Sequence, residues 1–414
     1  MRTGFDVAIV GAGPAGASAA ILLARAGWSV ALIERQTFPR RKVCGECVAA
    51  SNLPLLDALG IGADFDRLAG AELRRVALMH GGDTIVASLP AGEGAHRWGR
   101  ALGREHLDTL LADAARDAGA TRLQPWTLQS ISGSAGRFVL RVRALDGPGD
   151  DVELHAGLVV AAHGSWEPLP SERAELRERR APSDLFAFKA NFRHAAIAAD
   201  LLPVLSFRGG YGGMVVADGG LATLACCVRE DRLQALRAEQ PGERAGDVVE
   251  AMLRSQCAGV AEALRDATRE GPWLASGPLR PGVRLGAGDG VFRIGNAAGE
   301  AHPIVGEGIS MALQSAFVLA AQIAPIKAEL LDASGAASAQ VRALDRYEAL
   351  WHRRFARRLS IAAIFAHVAM RPGLARAAWP LVARWPGVLT RGARFTGKTR
   401  CAPEAERLVA AANA

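Results

Sequence analysis

The stretch FDVAIVGAGPAG (residues 5–16) decides how the first part of the chain folds. Its opening run, FDVAIV, is short, apolar and β-branched, which suits a strand buried on both faces. Three glycines, Gly11, Gly13 and Gly16, then follow at the spacing G-x-G-x-x-G and lead into the helix-forming run ASAAILLARAG (residues 17–27). This order of strand, glycine-rich turn and helix predicts the first half of a βαβ unit.

The glycine spacing has a mechanical basis in dinucleotide-binding proteins. Gly11 permits the tight turn, Gly13 lets a pyrophosphate approach the backbone, and Gly16 lets the helix pack on the sheet. The helix N-terminus offers free N–H groups and the positive end of its dipole to the phosphates. The chain returns as the apolar strand WSVALIER (residues 28–35), which places Glu34 to accept hydrogen bonds from a ribose diol. Because every part occurs in order, the segment predicts a dinucleotide site.

Length and composition bound the class of protein. The chain has 414 residues, of which 50% are apolar and 22% charged, as expected of a soluble protein with a substantial core. The N-terminus runs straight into the strand pattern, so we expect a cytoplasmic protein. No apolar run reaches the length needed to cross a bilayer; the longest candidate, residues 359–370, is too short. Six cysteines in such a chain do not indicate a disulfide framework.

The formal net charge of +7 is unevenly distributed. Residues 341–414 carry 14 Lys and Arg against 4 Asp and Glu, whereas the rest of the chain is slightly acidic. No aromatic–basic interleaving or zinc-finger spacing accompanies the surplus, so we expect no nucleic-acid partner. A basic tail is otherwise typical of a solvated helical face or of an acidic membrane surface.

The tail also has a clear periodicity. Tyr347, Trp351, Phe355 and Leu359 recur every four residues between clustered arginines, which predicts an amphipathic basic helix. Such a stripe most often packs on its own protein, and a dimer contact or a peripheral membrane contact is the alternative. Two further short helices, broken at prolines between residues 372 and 386, are expected to complete a C-terminal cap.

A second motif lies far downstream, in RIGNAAGEAHPIVGEGISMALQSA (residues 293–316). It reads as a strand end, a glycine-rich crossing segment and a long helix beginning near Gly308. This motif resembles the second flavin-binding motif of the FAD-dependent oxidoreductases that share the para-hydroxybenzoate hydroxylase fold. FPRRKVCGE (residues 38–46) most resembles the branch that holds geranylgeranyl reductases, flavin-dependent halogenases and polyketide-tailoring monooxygenases.

The resemblance implies an α/β fold with three parts: a discontinuous Rossmann-like FAD domain, an antiparallel β-sheet substrate domain and a helical C-terminal extension. The strict alternation of DLFAFKANFRH (residues 184–194) favours a strand with a phenylalanine face in the substrate domain. We expect the FAD domain in residues 1–75, 101–170 and 276–328, the substrate domain in 76–100 and 171–275, and the extension in 329–414.

The resemblance also assigns residues to the cofactor. It places the pyrophosphate at the glycine turn, the adenosine ribose at the end of the second strand, and the flavin ring beside the segment 303–308. The expected FAD-binding residues are Gly11, Gly13, Ala15, Gly16, Glu34, Arg35, Lys42, Cys44, Arg104, Leu128, Gly295, Asn296, Gly306, Gly308 and Ile309.

Two positions depart from the family pattern. Asn296 stands where the family usually has an aspartate that contacts the ribityl chain, and an amide can still hydrogen-bond a hydroxyl. His163, followed by Gly164, stands where many hydroxylases have Asp-Gly, and that aspartate helps to organise FAD and the nicotinamide donor. The replacement puts classical NADPH use in doubt, so NAD(P)H is expected to act either directly or through a partner reductase.

Cys44 and Cys47 form a C-x-x-C pair with three alternative interpretations. A redox pair usually opens a helix in a thioredoxin-like unit, and a zinc site needs two further ligands that the sequence does not offer. Packing of the loop against the flavin is therefore favoured, a redox role comes second, and no metal is expected. Cys44, His302 and Pro303 are the candidate catalytic residues, although His302 is equally suited to a structural role.

The resemblance implies an FAD-dependent oxidoreductase. We expect a monooxygenase that hydroxylates an apolar aromatic or polyketide-like small molecule through a flavin C4a-hydroperoxide. The first alternative is a reductase of prenyl or other isoprenoid double bonds, and the second is a non-catalytic flavoprotein in a biosynthetic complex. The W-x-W-x-I-P segment of halogenases does not occur, and the aromatic motif of geranylgeranyl reductases is reduced to Tyr211 among glycines.

Overall fold

The computed structural model of the chain describes residues 2–92, 94–147, 149–165, 169–170, 181–332, 335–395 and 399–412. Residues 171–180, which the sequence assigned to the substrate domain, lie outside the described residues. The strands are β1 (Gly4–Val10), β2 (Val30–Ile33), β3 (Cys47–Val48), β4 (Arg75–His80), β5 (Asp83–Ser88), β6 (Arg100–Ala101), β7 (Thr121–Leu123), β8 (Trp126–Ser134), β9 (Arg137–Ala144), β10 (Val152–Ala161), β11 (Leu185–Arg193), β12 (Leu201–Phe207), β13 (Gly210–Val216), β14 (Ala222–Arg229), β15 (Thr268–Leu279), β16 (Gly282–Val283), β17 (Phe292–Arg293) and β18 (Gly299–Glu300). The helices are α1 (Pro14–Arg25), α2 (Leu53–Leu59), α3 (Gly62–Leu68), α4 (Arg104–Asp117), α5 (Glu230–Glu239), α6 (Ala245–Gln256), α7 (Ala258–Ala263), α8 (Gly308–Ile323), α9 (Lys327–Leu331), α10 (Ala336–Ala369), α11 (Pro372–Arg384), α12 (Gly387–Phe395) and α13 (Pro403–Ala412).

The βαβ unit predicted at the N-terminus is the centre of the first sheet. Its strand order is β7-β2-β1-β10-β9-β8, and β17 also pairs with β10. The pairs among β7, β2, β1, β10 and β17 are parallel, whereas β8, β9 and β10 form antiparallel pairs. Because parallel neighbours need crossover connections, this sheet gathers strands from distant parts of the chain. The predicted Rossmann-like fold class is confirmed.

The second sheet has the order β15-β11-β14-β13-β12-β4-β5. All its pairs are antiparallel except β12 with β4, where the chain enters from the first segment of the FAD domain. The phenylalanine face of β11 packs in a core with helices α5–α7, as the alternation predicts. The opposite face of β11 is buried as well, and it carries Lys189 and Asn191. The strand β15 runs to Leu279, beyond the predicted domain boundary at 275, and the boundaries themselves stay predictions.

The helix α8 occupies the centre of the largest core. The segment Gly308–Leu331 is long and apolar enough to cross a membrane, but 72% of its most apolar window is buried inside the protein, as in a core helix. It packs against α1, α10 and α13. The long helix predicted to begin near Gly308 is confirmed, whereas the prediction that residues 359–370 are the longest apolar candidate is wrong.

The C-terminal region is more than an extension. The predicted stripe of α10, formed by Tyr347, Trp351, Phe355 and Leu359, is buried in the same core as α1 and α8. The packing alternative for this stripe is therefore correct, and these four side chains are not available to a membrane or a second subunit. Three helices follow rather than two, and α11 continues through Pro380.

We predict that Trp351→Ala lowers the free energy of unfolding by about 3–5 kcal/mol, because it leaves a cavity in the main core. Trp351 is fully buried and its ring faces Gly299, where a Cβ atom would lie 2.5 Å from the indole. The matched control is Val341→Ala on the same helix, where the side chain is exposed and a change within about 0.5 kcal/mol is expected. Urea unfolding followed by circular dichroism measures both, and equal losses would contradict a core role for α10.

Candidate functional site

A cavity of about 1650 Å³ lies between the two sheets and the C-terminal helices. It exceeds the size of an ordinary small-molecule pocket and so offers space for a large cofactor together with a substrate. Of the residues predicted from the sequence, Gly16, Gly295 and His302 do not line it. Those that do are Gly11, Gly13, Ala15, Glu34, Arg35, Lys42, Cys44, Arg104, Leu128, Asn296, Pro303, Gly306, Gly308 and Ile309.

The glycine turn forms one wall of the cavity. Gly11 has a φ of +106°, and a Cβ atom there would lie 2.5 Å from the carbonyl oxygen of Ala162. A Cβ atom on Gly16 would lie 1.8 Å from the oxygen of Gly11, so this glycine allows α1 to pack on the turn. Gly13 differs, because the nearest atom to a Cβ atom would be Arg104 Nη2 at 3.7 Å. The backbone at Gly13 therefore leaves a space that faces a cation.

Glu34 follows β2 directly and has a buried carboxylate on the cavity wall. Its Oε2 accepts a hydrogen bond from the backbone N–H of Ala12 at 2.8 Å, and its Oε1 accepts one from the N–H of Gln36 at 2.8 Å. These two bonds orient the carboxylate at the end of the strand. Because each carboxylate oxygen has two acceptor positions, Glu34 can still accept hydrogen bonds from a diol.

Two cations of the cavity wall pair with one buried carboxylate, and Lys42 is the third cation of this cluster. Arg104, the first residue of α4, pairs with Asp108 through Nε–Oδ1 at 2.7 Å and Nη2–Oδ2 at 2.8 Å, and Arg40 Nη1 lies 3.3 Å from Asp108 Oδ2. Burial disfavours the charge on Arg104, but the charge and hydrogen bonds of Asp108, together with the influence of Cys44, raise the pKa of Arg104. Burial, followed by repulsion from Arg104 and Arg40, lowers the pKa of Lys42 to about 8. The surplus of positive charge is complementary to the negative charge of a pyrophosphate, so the cluster fits FAD.

The third segment of the chain completes the opposite wall. A Cβ atom on Gly308, the first residue of α8, would meet no atom within 4 Å, so the helix N-terminus is open to the cavity. The resemblance places the flavin ring here, where the positive end of the helix stabilises negative charge. Asn296 donates a hydrogen bond from Nδ2 to Ser165 Oγ at 2.8 Å, and Ser165 donates to Glu300 Oε1 at 2.6 Å. The amide that replaces the family's aspartate is thus held in one orientation.

The other departure from the family pattern lies at the end of β10. His163 lines the cavity, and its Cα atom would be 3.0 Å from a Cβ atom on Gly11. Gly164 has a φ of +83°, and a Cβ atom there would lie 3.5 Å from Lys42 Nζ. The His-Gly pair therefore meets both the glycine turn and the cation cluster. Its effect on the electron donor stays a prediction.

The C-x-x-C loop is organised by the glutamate inside it. Glu46 has a φ of +58° and is 1% exposed. Its carboxylate accepts hydrogen bonds from the backbone N–H of Arg104 at 3.1 Å and from Thr223 Oγ1 at 2.5 Å, and it pairs with the Lys189 ammonium. Cys44 Sγ accepts the N–H of Glu46 at 3.3 Å. Neither cysteine of the loop forms a disulfide bond, and both line the cavity.

Sequence reasoning missed Glu46, Lys189 and Thr223. They are too far apart along the chain for any local motif to connect them, and they meet only when β11 and β14 pack over the loop. One signal was present, because a lysine in the middle of the apolar run LFAFKANF (residues 185–192) requires a buried partner.

The candidate catalytic residues differ in their access to the cavity. Pro303 lines it, at the start of a short 3-10 helix, whereas His302 does not and lies behind Tyr211, a lining residue whose hydroxyl oxygen is 3.1 Å from His302 Nδ1. Burial, followed by repulsion from His367, lowers the pKa of His302 to about 4, so its ring is neutral at pH 7. Among the described residues no group of three His, Cys, Asp or Glu side chains is arranged to hold a metal ion.

We predict that the affinity for FAD falls as the pH rises above 8, because Lys42 then loses the charge that attracts the pyrophosphate. The dissociation constant for FAD should rise by at most about tenfold per pH unit, because one proton is involved. Lys42→Gln should abolish this dependence, whereas Arg40→Gln should move its onset to higher pH, since the charge of Arg40 lowers the pKa of Lys42. Quenching of FAD fluorescence on binding measures each dissociation constant. A wild-type affinity that is flat across this range would contradict the prediction.

We also predict that Lys189→Met lowers the free energy of unfolding by about 3–5 kcal/mol, because it leaves the Glu46 charge buried without its cation. The double variant with Glu46→Gln should regain much of that loss, since both charges are then absent. Arg67→Ala, which removes an exposed pair with Asp64, is the control and should cost less than about 1 kcal/mol. Similar urea midpoints for Lys189→Met and Arg67→Ala would refute the role given to this pair.

Comparison with known proteins agrees with this geometry. Residues 4–357 match the family described as FAD binding domain. Menaquinone reductase of Mycobacterium tuberculosis is 32% identical over 167 residues, which cover 40% of this chain and only 38% of that reductase. Kynurenine 3-monooxygenase of Salinispora arenicola is 26% identical over 335 residues, 76% of this chain and 71% of that enzyme.

Among solved structures, the flavin-dependent brominase Bmp2 superposes with a TM-score of 0.76, covering 99% of this chain and 98% of the brominase. Its sequence identity of 16% limits the similarity to the fold. The family match covers most of the chain, and the glycine turn, the cation cluster and Glu34 form a cradle that fits the cofactor. The chain therefore belongs to the FAD binding domain family.

Proposed function

We propose that the protein is an FAD-dependent monooxygenase that hydroxylates an apolar aromatic or polyketide-like small molecule. The observation that carries the proposal is the continuity of the cavity, which runs from the cofactor cradle into an apolar chamber. The chamber lies between the second sheet and the C-terminal helices. Its apolar wall is formed by Val76, Leu78, Leu202, Val204, Met214, Val368, Trp379 and Val382.

The protein's own residues bind the cofactor, orient the substrate and exclude water. The cation cluster would hold the pyrophosphate of FAD and Glu34 its adenosine ribose, and the N-terminus of α8 would stabilise negative charge that develops on the flavin. When bound and reduced, FAD would supply the two electrons that activate dioxygen, from which one oxygen atom goes to the substrate and the other leaves as water. The apolar walls keep water from the reacting atoms and orient the substrate, which suits a reaction that needs positioning more than acid–base catalysis.

The monooxygenase relative matches a larger share of this chain than the reductase relative does, which favours oxygen transfer. The monooxygenase relative is similar along about three quarters of the chain, a stretch long enough to include both sheets, whereas the reductase relative matches 40% of it. Sequence similarity to a monooxygenase over this length supports a similar substrate chamber as well as a similar cofactor cradle. We further propose NAD(P)H as the electron source, directly or through a partner reductase, and a cytoplasmic location.

The second candidate is a reductase of prenyl or isoprenoid double bonds. Its support is the wall of the chamber, which is mostly aliphatic and extends to the exposed C-terminal helices. A long flexible hydrocarbon fits such a wall as well as a ring system does. Cys44 also lies within hydrogen-bonding reach of Arg104, beside the expected flavin site.

Isotope labelling separates the two candidates. FAD-loaded protein is reduced anaerobically and mixed with ¹⁸O₂ and a panel of aromatic polyketides and prenylated quinones. We expect a hydroxylated product that carries ¹⁸O and requires oxygen. A saturated product that forms without oxygen would overturn the monooxygenase in favour of the reductase.

A chamber variant provides the control for this experiment. Val204→Trp fills the chamber and should cut product formation per reduced flavin at least about tenfold, while reoxidation of the flavin continues. Val283→Trp adds the same side chain at an exposed position of β16 outside the cavity and should leave the yield unchanged. Equal yields from the two variants would place the substrate elsewhere.

A further inference from the structure

The C-terminal helices carry an unusual concentration of exposed apolar side chains. Among the residues that the structure describes, ten large apolar side chains are exposed, and six of them lie between the end of α10 and the start of α12. The helices α10, α11 and α12 contact one another in that order. We call this surface the apolar face; it consists of Ile364, Phe365, Leu374, Leu381, Trp385 and Val388, which are 39% to 64% exposed.

The apolar face is interspersed with positive charge alone. The chain has no Asp or Glu between residues 349 and 403. Five arginines on these helices are exposed, and none of them forms an ion pair with a described carboxylate. They are Arg371, Arg376, Arg384, Arg391 and Arg394. A surface that combines apolar side chains with unneutralised arginines is complementary to a layer that is apolar inside and acidic outside.

The apolar face is continuous with the substrate chamber. Ile364, Phe365 and Val388 belong to the face and also line the cavity. Trp379 and Val382 line the cavity beside them on α11. The chamber therefore opens within the face, and a molecule dissolved in an apolar layer would enter without crossing water.

A second copy of the chain fits this surface less well. A two-fold contact brings the same patch of both copies together, so the five arginines of each copy would meet without a carboxylate from residues 349–403 between them. Trp385, the most exposed aromatic side chain of the face, lies under the guanidinium of Arg384. Tryptophan beside arginine is typical of side chains at the boundary between lipid headgroups and acyl chains.

We propose that the apolar face docks on an acidic lipid bilayer and that the chamber takes its substrate from that bilayer. The buried stripe of α10 is not involved, because its side chains face the core. The proposal goes beyond the proposed function, since docking does not depend on whether oxygen or hydrogen is transferred.

The test is sedimentation of the FAD-loaded full chain with phosphatidylcholine vesicles that contain or lack phosphatidylglycerol. We expect binding to the acidic vesicles that weakens with salt, and at least about tenfold weaker binding to the neutral ones. Ile364→Asp should reduce the partition coefficient at least about tenfold, because it places a charge in the apolar layer. Val341→Asp is the matched control, because it lies on the same helix, is 53% exposed and is about 35 Å away along the axis.

Arg384→Gln combined with Arg391→Gln should weaken binding to acidic vesicles about tenfold or more and leave binding to neutral vesicles unchanged. Far-UV circular dichroism and FAD content confirm that each variant is folded. Equal binding of Ile364→Asp and Val341→Asp would overturn the proposal. A wild-type dimer that ignores vesicles and that Ile364→Asp converts to a monomer would also overturn it, in favour of a second copy of the chain.

Discussion

The structure depends on one buried carboxylate, that of Glu46. Glu46 has a positive φ, a backbone conformation that is unfavourable for a residue other than glycine. The surrounding contacts must therefore hold the loop in this conformation. Those contacts come from the N-terminus of α4, from β14 and from the Lys189 ammonium of β11. The glutamate thus joins the cofactor loop to both α4 and the second sheet.

The contacts of Glu46 explain why one cavity has both a polar and an apolar region. The loop that Glu46 holds also carries Arg40 and Lys42, so its conformation aims positive charge at the glycine turn. The same carboxylate pairs with Lys189, and β11 then lies directly over the loop. The polar cofactor cradle and the apolar chamber are therefore adjacent because the same loop contacts both. A buried pair of this kind contributes to a specific geometry more than to stability.

The C-terminal helices divide into two parts with opposite roles. The first part of α10 presents its stripe to α1 and α8 and is a component of the main core. From Ile364 onwards six large apolar side chains of the described residues are exposed, and three of them also line the cavity. Both parts combine apolar residues with arginines, and the position of the neighbouring sheet and helices decides which apolar side chains are buried. The periodicity of the first part was therefore readable, whereas the exposure of the second part was not.

The sequence by itself determined the βαβ unit, the glycine turn, Glu34 and the start of α8, because each depends on backbone preferences and on residues close together along the chain. The wall positions of Arg104 and Leu128 were also anticipated, through the resemblance to flavoproteins. It required the tertiary structure to show that Lys189 meets Glu46, that Arg40 pairs with Asp108, and that the helices after residue 364 line the chamber. These contacts join residues that lie far apart along the chain. Burial and charge pairing depend on how the whole chain packs, and no local pattern records them.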